Sequence, residues 1–187
     1  MRVAGILRNA IHLSLAVGLF SWVLANQALA LSVEEAYRAI PHRRSVFNSQ
    51  DAKIPVEERQ YLQRFFRLVD LAIVERVGML LWVQSKGSRG EPATHYDRLL
   101  NDLKVLRAPP GLKDVHEFVV KAIEDQRAAL EAWRRSGLPS NIAQDPLVGR
   151  SSQNLRRAYD ELMRLFPQEG QHNKDAFFDY LCALDFS

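Results

Sequence analysis

Apolar residues recur at helical spacing along most of the chain, and the densest pattern runs from Val56 to Gln84. Rotated by about 100° per residue, this stretch gathers Leu62, Phe65, Phe66, Val69, Ile73, Val77 and Val83 on one face. Arg64, Arg67, Asp70 and Glu75 lie opposite, but Leu71, Val74, Gly78 and Trp82 interrupt them. So wide an apolar sector predicts a helix buried on most sides, the central one of a bundle. Pro55 suits its first turn, where a missing N–H costs nothing, and Glu57 and Glu58 suit the positive end of the dipole. Ser85-Lys86-Gly87 reads as its stop. Such a helix spans about 45 Å.

Shorter patterns flank it. Ser32-Val33-Glu34-Glu35 is a capping box for a short helix that ends before Pro41. Residues 42–51 lack periodicity and predict an extended loop, which Phe47 can pin to the bundle. Thr94-His95-Tyr96-Asp97 resembles an acidic capping box, before a helix with Tyr96, Leu99, Leu100 and Leu103 on one face. Ala108-Pro109-Pro110-Gly111 stops that helix, and another is expected from about Leu112 to Arg135, ended by Gly137 and Pro139. A loop over residues 136–149 follows, long for a bundle, with Ser151-Ser152 as the expected cap of the next helix. A last short helix is expected from Lys174, with Phe177, Tyr180, Leu181 and Leu184 inward. No segment carries a strand pattern. The expectation is an all-α fold, an antiparallel helical bundle of four to five main helices in a single domain over residues 31–187.

The first 30 residues change the meaning of the composition. Arg2 and Arg8 form a positive start, Ala10 to Ala25 is nearly all apolar, and Ala28-Leu29-Ala30 has the small-x-small form of a cleavage site. These are the parts of a secretory signal peptide in order, so a periplasmic or secreted address is expected. The alternative is an uncleaved N-terminal anchor that tethers the domain, although the apolar run is short for a span of about 20 residues. Cleavage after Ala30 leaves 157 residues, with 23 basic against 22 acidic side chains, so the formal charge falls from +3 to +1. Nothing in that balance calls for nucleic acid as a partner.

Cys182 is the only cysteine, which excludes an internal disulfide, a CxxC redox pair and the CxxCH haem motif. A buried inert thiol is expected there, with an intermolecular disulfide as the alternative. The chain has no P-loop, GxGxxG, GxSxG or HExxH, and no pair of ExxH motifs such as a di-iron bundle uses, since Glu169-Gly170-Gln171-His172 stands alone. His42, His95, His116 and His172 have no second histidine at i+3 or i+4, so no metal site and no cofactor is expected. His116 falls at the edge of an apolar helix face.

Two polar residues break the apolar faces. Arg76 falls mid-face in the long helix, and Gln126 falls mid-face two helices later. A buried arginine must snorkel, pair, or meet an anion, because an unpaired buried charge is costly. Its alternative roles are therefore a structural contact or an anchor for a carboxylate or phosphate, with Gln126 as a second ligand-binding residue or a hydrogen-bond partner across the core. His42, Arg43 and Arg44 form the densest basic cluster of the mature chain, either a solvated loop or a docking site for an acidic partner or anionic head groups.

The expected function is an exported, non-enzymatic accessory or protein-interaction module, monomeric or weakly dimeric, with a protein partner at or away from a membrane surface. An exposed apolar patch near Phe178 or Phe186 would support it. The alternative is a bundle that binds a small anionic ligand at Arg76. An enzyme of unrecognised type comes third, because no catalytic residues are brought together by the sequence.

Overall fold

The computed structural model describes residues 32–40, 45–85 and 95–186. The expected signal peptide and the His42-Arg43-Arg44 cluster lie outside the described residues. Six α-helices and no strand occur among the described residues: α1 (Val33–Arg38), α2 (Val56–Gln84), α3 (Tyr96–Val105), α4 (Lys113–Ser136), α5 (Pro146–Leu165) and α6 (Gln171–Leu184). Two single 3-10 turns, Pro110–Leu112 and Ile142–Gln144, precede α4 and α5. The fold is the all-α antiparallel bundle that the apolar spacing predicts.

Local chemistry explains most of the boundaries. The Ser32 hydroxyl accepts from Glu35 N, and the Glu35 carboxylate accepts from Ser32 N at 2.8 Å, completing the capping box of α1. Pro55 stands at the N-cap of α2, with Glu57 and Glu58 in its first turn. Gly137, at the end of α4, takes φ +84°, a left-handed conformation that only glycine adopts freely. Two starts differ from those expected. Asp145, not Ser151-Ser152, caps α5 by accepting from Leu147 N at 2.8 Å, and Pro146 fills its first position. The expected loop over residues 136–149 is correspondingly shorter. His95 is the N-cap of α3 without a side-chain cap, because its ring and its N–H both turn to Glu75.

Contacts define the directions. Trp133 at the end of α4 meets Asp145, while Arg157 lies over Phe118, so α4 and α5 run antiparallel. Tyr159 meets Phe178 and Ser152 meets Asp185, so α5 and α6 do as well. By contrast α2 and α6 run parallel, since Phe66 stacks on Phe177 and Arg76 reaches Ala183. The long helix α2 touches α1, α3, α4 and α6, which makes it the central element.

The core divides along the bundle axis. At one end Phe47, Phe65, Phe66, Phe166, Phe177 and Tyr180 form a linked aromatic cluster, with Phe66 and Tyr180 stacked at 4.4 Å. Phe47 does pin its loop, and polar groups reinforce it. Asn48 and Asn173 exchange hydrogen bonds, and the buried Glu169 carboxylate accepts from Lys53 N at 2.9 Å. At the other end lie the two polar residues that break the apolar faces.

Candidate functional site

Arg76 is buried, with 6% of its surface exposed, and Gln126 is wholly buried. They sit on different helices but converge on one target, the C-terminal end of α6. Arg76 Nη2 donates to the Ala183 carbonyl at 2.7 Å, and Gln126 Nε2 donates to the Leu184 carbonyl at 2.7 Å. These carbonyls belong to the last turn of a helix, where no intrahelical partner exists. The arginine also brings positive charge to the negative end of the helix dipole. Gln126 does not bond to Arg76. Its second bond goes to Ser151 Oγ at 3.0 Å, which joins α4 to α5 at the same level.

The end of the chain folds over this centre. The Phe186 ring lies 5.3 Å from the Arg76 guanidinium carbon, a cation–π contact, and meets Trp133 edge-on at 5.3 Å. Asp185 accepts from Ser152 Oγ at 2.6 Å and from Phe186 N at 2.7 Å, which fixes the turn out of α6. A cavity of about 270 Å³ opens on the outer side of Phe186, with Ser152 and Arg156 among its walls. A second groove, of about 380 Å³, lies at the aromatic end between Lys53, Glu58 and Phe166. Neither of these two is lined by Arg76.

The centre is incompletely paired. Among the described residues Arg76 forms no ion pair with a carboxylate. Arg76 Nε, Tyr96 Oη and Gln126 Oε1 are buried without a hydrogen-bond partner. Burial lowers the Arg76 pKa, against the influence of Tyr96, Asp185 and Cys182, which raise it. Burial raises the Tyr96 pKa, so the phenol keeps its proton.

The remaining candidates are separate. His116 is half-buried at the edge of α4, where its Nδ1 shares a 2.8 Å hydrogen bond with Tyr61 Oη. Burial lowers its pKa. Cys182 is half-buried, short of the full burial expected, and its thiol pKa is raised first by burial and then by Asp185 and Asp179. Among the described residues no cluster of His, Cys, Asp and Glu has metal-binding proximity, and no helix is long and apolar enough to cross a membrane. Phe178 is 49% exposed on the outer face of α6, with Tyr159 of α5 edge-on to it at 5.8 Å. Phe186, the other aromatic expected at such a patch, is instead partly buried against the core.

Sequence reasoning singled out Arg76 and Gln126 but missed Tyr96, Ser151 and the covering role of Phe186. Ser151 carried a usable signal: it lies four and seven positions before Leu155 and Ala158, on the same inner face. No protein-family model matches the chain, no curated protein matches it, and no solved structure matches it.

Proposed function

We propose that the chain is an exported, non-enzymatic accessory module that docks another protein through the outer α5–α6 face centred on Phe178. The observation that carries this reading is Phe178 itself. A phenylalanine half exposed and edge-on to a tyrosine presents aromatic surface to solvent, and aromatic side chains are enriched at interface cores. Among the described residues the other large exposed apolar side chains, Val46, Val56, Leu71 and Val105, lie on other segments, as isolated surface residues do. The leader supports an exported address, and the basic His42-Arg43-Arg44 segment supports an acidic partner surface.

The test uses the full chain expressed with its leader in cells that export it. Intact mass of the exported protein should begin at Leu31, and chemical cross-linking should yield one discrete adduct that Phe178→Ser removes while the variant stays folded, as read by its helical circular dichroism. An uncut mass would replace export by tethering. Adducts indifferent to Phe178→Ser would reject the docking face.

A further inference from the structure

The extended segment of residues 45–54 carries an inference independent of the docking face. It runs antiparallel to α6, and α6 with the turn before it holds its main chain at four levels. Asp179 accepts from Ser45 N, His172 Nε2 donates to the Val46 carbonyl at 2.9 Å, and Glu169 accepts from Lys53 N at 2.9 Å. Between them Asn173 accepts from Asn48 N at 2.8 Å and donates to Asn48 O at 3.1 Å. Asn173 is 3% exposed and gives both ends of its amide to one residue of the segment. Among the described residues the segment's own polar side chains bond only within it, as Asn48 does to Asp51. Its one aromatic anchor is Phe47, whose ring lies 5.9 Å from that of Phe66 and 5.8 Å from that of Phe177, and Ala52 and Ile54 are buried further along. The seat therefore recognises an extended backbone, one aromatic side chain and two smaller apolar ones, and makes no hydrogen bond to the polar side chains. Main-chain hydrogen bonds for affinity and a pocket for specificity are the means by which a protein holds an extended peptide.

We propose that this groove along α6 is a receptor for an extended peptide segment bearing an aromatic residue, and that residues 45–54 fill it in cis until a partner's segment takes their place. The covalent tether holds the cis segment at an effective concentration on the order of 1 mM. A free peptide at lower concentration therefore enters only when the cis anchor is weakened.

The probe is a synthetic peptide of residues 45–54, added to the full chain carrying Phe47→Ala. The melting temperature of that variant should rise by about 3 to 5 °C per tenfold increase in peptide concentration above its Kd. The wild type should show no rise at the same concentrations, because its own segment is seated. A peptide carrying Ser45→Ala, Ser49→Ala, Gln50→Ala and Lys53→Ala should act like the parent peptide. One carrying Phe47→Ala, or methylated at Asn48 N, should have no effect. Phe47→Leu weakens the anchor more gently and serves in the same test if Phe47→Ala does not fold. No rise in either variant, an equal rise in the wild type, or a rise indifferent to methylation at Asn48 N would overturn the proposal. Wild-type dimers that the free peptide dissociates would overturn it too, by giving the groove to a second copy of the chain.

Discussion

Replacing Gln126 by leucine keeps the shape of the buried side chain and removes the amide that ties α4 to α5 and α6. Two bonds disappear, to Leu184 O at 2.7 Å and to Ser151 Oγ at 3.0 Å. Both partners are then left in a site with no access to water, since Gln126 is wholly buried and Ser151 is too. An orphaned buried polar group costs about 1–3 kcal/mol. One term opposes this: Gln126 Oε1 is itself unpaired, and leucine eliminates it. Two groups lost against one relieved leaves a net destabilisation of about 2 kcal/mol. For a chain of this size that lowers Tm by about 4–8 °C. Urea unfolding followed by circular dichroism measures it, with the midpoint moving and the slope unchanged. Adding Ser151→Ala should recover part of the loss, because it removes one of the two orphans. The coupling between the two substitutions should be about 1 kcal/mol. A Gln126→Leu variant as stable as the wild type would refute the claim that this amide secures the end of α6.

Two further outcomes follow from neighbouring contacts. Burial lowers the His116 pKa, so the unfolded chain takes up its proton first. The stability this neutral imidazole contributes is complete above the unfolded pKa of about 6.5 and is lost as pH falls towards the folded value. His116→Asn should therefore flatten the stability profile on the acid side of that pH, as read by urea midpoints. Asp145→Ala removes both the α5 cap at Leu147 N and the acceptor of Trp133 Nε1 at 2.9 Å, and should cost about 2 kcal/mol with a change in Trp133 fluorescence.

The parts of the fold that read directly from the sequence are those whose signal is long or self-contained. The central helix α2 spans 29 residues with an apolar sector too wide for a surface helix, and its bounds coincide with the pattern. The capping box at Ser32 needs only four residues and forms as expected. The start of α5 lies before Ser151-Ser152 because two cap signals compete within a few residues. Asp145-Pro146 combines a side-chain acceptor with a preset φ and wins, which moves Ser151 into the helix interior. Arg76 and Gln126 announced themselves by breaking apolar faces, but their shared target did not. They meet backbone carbonyls 107 and 58 residues away, and a carbonyl leaves no mark on residue type. Tyr96 reads as part of the apolar face of α3, where its ring belongs, and periodicity carries no signal for its unpaired hydroxyl.

The account stands most directly on whether Phe178 meets another protein. A photo-crosslinking residue placed at position 178 of the full-length chain, in cells that export it, measures this. The same residue at position 105 is the control, since Val105 is the more exposed side chain, at 75%, and belongs to α3. The account predicts one discrete heteromeric adduct from position 178 and none from position 105. Equal labelling from both positions, or no adduct from position 178, would contradict it.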